Sequence, residues 1–588
     1  MMCGTTDELS QLESEVLASI CSQEMWKHCE AFNTLHRASG TEDDYRAVRY
    51  IEDYLAFHGI ETEVYKFKSL LSYPIRASLR CVTPEEREIR CKTRAFSGVT
   101  PPQGVEAELI YVPTQSAGVG LLEAAVTNEY AGVDARGKVV LTERGGPDGV
   151  WDAQKAGAIA HIHIWPSDEN VIHEMICSPV WGTPTPESSQ NLPTIPALAV
   201  TRKDGLWLKC CAERASTRVL LRNDAERVWR DLLLPVATIT GTREPEKFVL
   251  VGGHLDSWYV GVTDNATGNA CCLELARVLH KVKDRLERSV KIAWWPGHSY
   301  GRYSGSTWFC DTFWQQIHDH CIAYDNIDSP GVLDATDYTN ITAMAEAAQF
   351  AGQVVLQITG QQPTASRPAR AGDQSFWGTG TTSIFMLLSN RPAKDGAAVG
   401  GSGGGWWWHT EYDTLDKADP NRLKMDTQIH ALAVLRLLSS RVLPFRLSAL
   451  AAQILSTLEA YQKTAGSRFE LSAAATAAEC FAEAAKQFDM HAETLAEEGT
   501  EETQRAFSKK MLQVLRHVIP VVYTQSGAFD QDPATPSPTL PGLARVAELD
   551  FHEPYEDEYM FCLTRLMRER NRVVKSLLDA VGDMSLGK

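Results

Sequence analysis

Four short segments carry residue types that can do metal chemistry. The first is Gly252-Gly253-His254-Leu255-Asp256-Ser257, where His254 can offer a ring nitrogen to a cation and Asp256 can orient the imidazole. The second is Thr263-Asp264-Asn265-Ala266-Thr267-Gly268, where the Asp264 carboxylate could bridge two cations. The third is Asp325-Asn326-Ile327-Asp328 and the fourth is Trp406-Trp407-Trp408-His409-Thr410, followed by Glu411-Tyr412-Asp413-Thr414. Imidazole and carboxylate ligands together suit zinc. Taken singly, each has a plain structural reading: Asp264 caps a helix, and Asp328 before Ser329-Pro330 makes a turn. Their joint occurrence in this order points to chemistry.

Such residues need rigid elements behind them. Lys247–Gly253 is an apolar run ending in glycine, Gly268–Leu279 has helical periodicity, and Ser289–Trp295 is a second apolar run. Strand, loop and helix recur from Val236 to about Ala418. That alternation predicts an α/β fold, a mixed sheet with helices on both faces and its site at the carboxyl ends of strands. Residues 1–94 supply a first part of this domain, with Tyr45–His58 an amphipathic helix, Gly59 its C-cap and Ile60–Tyr65 a strand. Residues 95–235 read as an inserted β-rich domain, with short strands at Gly137–Thr142 and Ile159–Ile164. The metal-bearing part spans 236–425, and 426–588 is a helical domain whose last stretch is Tyr555–Leu586.

A chain of 588 residues is too long for one core, which agrees with several domains. Hydrophobic residues at 44% and charged residues at 22% are ordinary for globular proteins. A net charge of -18 disfavours nucleic acid and anionic membranes as partners. The opening residues lack a basic and apolar signal pattern, and no run is long enough to span a bilayer, so a cytoplasmic location is expected. The 14 cysteines show no CxxC zinc spacing and read as free thiols.

Gly253-His254-Leu255-Asp256-Ser257 with Asp264-Asn265-Ala266-Thr267-Gly268 is similar to the signature of the co-catalytic zinc aminopeptidase and glutamate-carboxypeptidase family. Gly305-Ser306, Asn326-Ile327-Asp328 and His409-Thr410-Glu411-Tyr412-Asp413-Thr414 resemble its further motifs. The inserted domain resembles a protease-associated domain, and the helical tail resembles the dimerisation domain of the transferrin-receptor branch. The resemblance implies one zinc on His254, Asp264 and Asp328, and a second on Asp264, His409 and one more ligand. Asp264 would bridge the pair, and a homodimer is expected. Such ions lie ~3.5–4 Å apart.

The family places two adjacent glutamates, a general base and a ligand, where this chain reads Trp295-Pro296-Gly297-His298-Ser299-Tyr300-Gly301-Arg302-Tyr303-Ser304-Gly305-Ser306. No glutamate is present, and one extra residue precedes Gly305. His298 therefore falls on either the base or the ligand position, with Ser299 beside it a poor ligand. Asp373-Gln374 resembles the family's substrate-side loop. Arg302 could bind a carboxylate or oxyanion. Trp408 and its neighbours suggest a pocket wall, and Gly400–Gly405 a mobile lid or flexible connector. Glu411 and Asp413 are candidates to support the ligands from behind. His161, His163 and His318-Asp319-His320 read as structural. The expectation is a zinc-dependent hydrolase of a peptide or other small amide substrate, with a non-catalytic binding scaffold, or a metal-dependent non-hydrolytic enzyme on an amide-like substrate, as the rivals.

Overall fold

The computed structural model describes residues 6–114, 129–392 and 400–585. Leu586, where the last helical stretch was expected to end, lies outside them, as do Met1–Thr5. The fold is mixed α/β around a twelve-stranded sheet, with an inserted domain and a C-terminal helical region.

Two strands of 23 residues, Glu61–Thr83 and Thr217–Ile239, run antiparallel to one another and tie the molecule together. Thr217–Ile239 pairs near its end with Arg288–Trp295, and near its start with Val105–Tyr111. One side of the sheet then continues through Glu244–His254, Cys321–Asn326 and Thr382–Ile384, all parallel to Arg288–Trp295. The other continues through Val139–Thr142, Ala160–Ile164, Ala197–Val200 and Cys91–Thr93. The inserted region is thus not a separate sheet. Residue 235, the expected edge, falls inside Thr217–Ile239, and residue 425 falls inside the helix Pro420–Ser439.

The strands next to the site are buried on both faces, which fits their continuous apolar runs. Trp294 packs with the helices Thr267–Lys281 and Pro420–Ser439, while its neighbour Trp295 packs on the opposite face with Phe309 and Ile317. Alternate side chains of a strand point to opposite faces. Helices therefore cover both sides where the ligand-bearing loops emerge. Among the described residues, no helix is long and apolar enough to cross a membrane.

Candidate active site

His254 is the last residue of the strand Glu244–His254 and is buried. Its Nδ1 donates to the carbonyl oxygen of Asp256 at 2.8 Å. Asp256 was expected to orient this ring, and it does so through its backbone. Its carboxylate instead accepts from Ser39 Oγ at 2.7 Å and from the backbone N–H groups of His298 and Ser299, both at 2.9 Å. The Asp256 carboxylate thus anchors the His298 loop.

Asp264 stands between two imidazoles. Its Oδ1 lies 3.0 Å from His254 Nε2, and its Oδ2 lies 3.0 Å from His409 Nε2. Asp328, just after the strand Cys321–Asn326, puts Oδ1 3.7 Å from the same His254 nitrogen. Asn265 ties the two acidic loops by donating to the Ile327 carbonyl and accepting from the backbone of Gly268 and Ser329. Asp413 grips the Asp264 loop, accepting from the N–H groups of Thr263 and Asp264 at 2.9 and 3.1 Å. Burial pushes the Asp413 carboxyl up to about 7, against the hydrogen bonds from Thr263.

His409 lies on a loop with left-handed backbone (φ 58°). Its Nδ1 donates to the carbonyl of Glu174 in the inserted domain at 2.7 Å, and Glu174 N donates back to the His409 carbonyl at 3.0 Å. Trp408 stacks on the His409 ring at 3.8 Å and reaches Trp165 and His173 behind it. Trp408 therefore braces the His409 ring, where a substrate wall was expected.

This donor set fits a metal. Each Nδ1–H is committed to a carbonyl, so a neutral ring would aim a bare Nε2 lone pair at an Asp264 oxygen. Lone pair against carboxylate is repulsive unless a cation or proton lies between them. Burial opposes charge on His254, yet Asp264 and Asp328 outweigh it and hold its pKa well above the ordinary imidazole range. Burial alone would raise Asp264, but His254 and His409 hold it well below the usual carboxylate range. Two ligand atoms on one tetrahedral zinc are roughly 3.3 Å apart, given ~2.0–2.2 Å bonds. The 3.0 and 3.7 Å separations around His254 Nε2 bracket that value.

His298 lies against this cluster. Its ring stacks on His254 with centroids 3.9 Å apart and planes 17° from parallel. His254, His298 and Asp328 each bring a ligand atom within 4.8 Å of the others. His298 Nδ1 lies 2.7 Å from Asp373 Oδ2, and Asp373 Oδ1 accepts from Ser306 Oγ at 2.7 Å. Asp373 was expected at the substrate; both its oxygens are engaged within the protein. Gln374 is also turned inward, its carbonyl accepting from Trp377 Nε1 and Ser383 Oγ.

The remaining candidates fall at varied depths. Ser299 is held by its backbone on Asp256, and its hydroxyl is buried without a partner. Glu411 is exposed and lies 3.5 Å from Lys92, which also meets Glu174, so it does not back a ligand as expected. Arg302 is buried beside Tyr303. Gly400–Gly405 is no loose lid: Gly401 and Gly403 are buried, a Cβ on Gly401 would collide with the Trp408 ring, and Ser402 Oγ bonds Thr263 Oγ1. Sequence reading missed Glu174, which acts through its backbone and so leaves no residue-type signal. It also missed His430, whose Nδ1 lies 3.0 Å from both oxygens of buried Asp325.

Residues 236–434 match the model of peptidase family M28, and residues 105–208 match that of the PA domain. A probable glutamate carboxypeptidase of Zea mays is 24% identical over 345 residues, 49% of this chain and 48% of that protein. The likeness thus spans about half of that relative's length. Among solved structures, an aminopeptidase from Aneurinibacillus sp. strain AM-1 superposes with TM-score 0.54 and 21% identity, covering 72% of this chain and 95% of its own. A zinc aminopeptidase from Bacillus subtilis gives TM-score 0.50 and 18% identity over 72% of this chain and 94% of its own. At these identities the structural likeness is one of fold. Residues 236–434 are thus similar to peptidase family M28 and residues 105–208 to a PA domain, and the clustered residues of the site lie in or beside these two segments.

Proposed function

We propose that this protein is a zinc-dependent hydrolase of peptide or related small amide bonds, with His298 as its general base. The observation that carries this reading is the His298–Asp373 pair set against the His254–Asp264–His409 cluster. His254, Asp264, Asp328 and His409 would hold the metal, and zinc is what the Bacillus subtilis relative is described as using. Zinc there would act as a Lewis acid on the scissile carbonyl and acidify the attacking water.

The stacking favours base over ligand for His298. An imidazole lone pair lies in its ring plane. The His298 ring is stacked on the His254 ring with centroids 3.9 Å apart and planes 17° from parallel, so the in-plane lone pairs of the two rings do not point at one another. With Nδ1–H given to Asp373, Nε2 is the free basic nitrogen. It takes the proton as the nucleophile forms and returns it to the leaving amine, while Asp373 holds the tautomer and offsets the imidazolium charge. The same reading takes the protein to be a cytoplasmic homodimer that acts without nucleic-acid or membrane partners.

The test is metal content by elemental mass spectrometry, together with hydrolysis of short peptides, for wild type, His298→Ala and His409→Ala. Zinc retained in His298→Ala with kcat down ~10²–10⁴-fold is the expected result, with zinc reduced in His409→Ala. Zinc lost in His298→Ala would make that residue a ligand. A wild type that takes up no zinc when it is supplied would leave the binding scaffold.

A further inference from the structure

Glu174 meets His409 through its backbone alone, and its side chain is engaged elsewhere. Its Oε1 accepts from the Tyr259 hydroxyl at 2.8 Å and lies 3.1 Å from Lys92 Nζ. Lys92 Nζ closes the triangle by donating to the Tyr259 hydroxyl at 2.6 Å, with the ammonium 5.0 Å from the centroid of that ring. The Lys92 side chain is 22% exposed and that of Glu174 12%, so water competes for these bonds only in part. Burial, with the Glu174 charge beside it, holds the Tyr259 hydroxyl well above its ordinary range, so it stays a donor.

The three residues come from three segments. Lys92 lies in the strand Cys91–Thr93, which pairs with Ala197–Val200. Glu174 lies in the inserted region, in the stretch after Trp165. Tyr259 lies midway between His254 and Asp264, in the loop that joins them. Arg37 holds this loop from behind, donating to the carbonyls of Leu255, Val260 and Gly261 at 2.8–3.0 Å. Tyr259 itself has φ 54°. Such backbone is strained for a bulky residue, persists where surrounding structure enforces it, and clusters at functional sites. Its ring is stacked on His36, with planes 9° from parallel, and its carbonyl accepts from Ser257 Oγ at 2.9 Å.

These contacts link the two acceptors around which the site is built. A shift of Glu174 carries with it the carbonyl that fixes the His409 ring. A shift of Tyr259 carries with it the loop that ends in Asp264. The 3.0 Å separation of His409 Nε2 from Asp264 Oδ2 is therefore tied to the triangle. Metal affinity depends on such separations, because ligand distances must fall within roughly 0.2 Å of their proper values.

We propose that Lys92, Glu174 and Tyr259 form a latch that sets the spacing of Asp264 and His409, with Glu174 and Tyr259 as positioning residues for the zinc on the His409 side. This rests on the metal-site reading above. The latch touches neither metal nor substrate and acts only through the backbone of the two segments it joins.

The experiment uses the full-length protein as wild type, Tyr259→Phe, Lys92→Met, Lys92→Arg and the double variant of Tyr259→Phe with Lys92→Met. Zinc is titrated against a chelator of known affinity, and the share lost in His409→Ala identifies the His409 side. Tyr259→Phe and Lys92→Met are each expected to weaken that zinc ~10–100-fold, as loss of an outer support does, with zinc on the His254 side unchanged. The double variant is no weaker than the worse single one, since both break one latch, and Lys92→Arg keeps most of the affinity. Unfolding temperatures stay close to that of wild type. Unchanged affinity, or both zinc ions weakened together with a fall in unfolding temperature, overturns the proposal. Amide hydrogen exchange on the metal-free proteins is the second arm, with faster exchange expected in the variants at residues 257–263 and 408–413. A wild type that takes up no zinc fails the metal-site reading, and the exchange arm still decides the latch, which unchanged exchange overturns.

Discussion

His254 and His409 meet the same carboxylate at the same 3.0 Å, yet they are held by different means. His254 ends a central strand, and its ring is fixed by a carbonyl two residues further on. His409 sits on a left-handed loop and is fixed by a carbonyl 235 residues away, in the inserted domain. Its stacked neighbour Trp408 reaches Trp165, which in turn stacks on His173 at 3.8 Å. One half of the site is thus set by regular secondary structure. The other half is set by side chains and backbone borrowed across a domain boundary. The difference implies that the inserted domain is part of the candidate site's support and not only a neighbour of it.

The largest expected effect removes what the halves share. Asp264→Ala should abolish metal binding on both sides and take activity well beyond the ~10–100-fold loss typical of an outer support. Metal titration of the variant checks this; one full equivalent still bound tightly would mean the halves are independent. Asp373→Asn touches neither half. It should lower kcat ~10²–10⁴-fold through the wrong His298 tautomer, with metal content unchanged. Loss of metal there would contradict the separation of base from ligands. His173→Ala should weaken metal on the His409 side by ~10–100-fold and leave the His254 side intact. Stepwise removal by a chelator distinguishes the two, and equal weakening of both would break the comparison.

The same contrast explains what the sequence could reveal. His254, Asp264 and Asp328 follow strands or precede a helix, so local pattern and residue type expose them. His409 was visible from its motif, but its support was not, because Glu174 contributes only backbone. The Asp373–His298 bond joins positions 75 residues apart, and nothing in either segment announces the other. Hence Asp373 was placed at the substrate. The boundary expected at residue 235 falls inside the strand Thr217–Ile239, whose middle, Arg222–Asp231, is rich in charged residues. Part of that stretch pairs on only one side, with Glu61–Thr83, so solvent tolerates the charges. Gly400–Gly405 suggested freedom by composition, whereas the tryptophans that follow pack directly on it.

A third region, away from both halves, gives the smallest effect and a control on the rest. Glu346 is fully buried where the sheet domain meets the helical region, and its backbone carbonyl accepts from Arg446 N. One carboxyl oxygen accepts from Thr382 Oγ1 at 2.8 Å and the other has no partner. Burial pushes its pKa from 4.5 up to about 7, only partly opposed by its hydrogen bonds. The native state therefore holds this proton more tightly than the unfolded chain does. Stability then falls as pH rises from 4.5 to about 7, and is level above that. The span is of order 3 kcal/mol at ~1.4 kcal/mol per pH unit. Glu346→Gln keeps the acceptor for Thr382 and removes the titration. Its unfolding temperature should exceed that of wild type at pH 8 and approach it near pH 4.5, with metal content the same at both. A gap between the two proteins that does not change with pH would mean that Glu346 ionises as freely when folded as when unfolded.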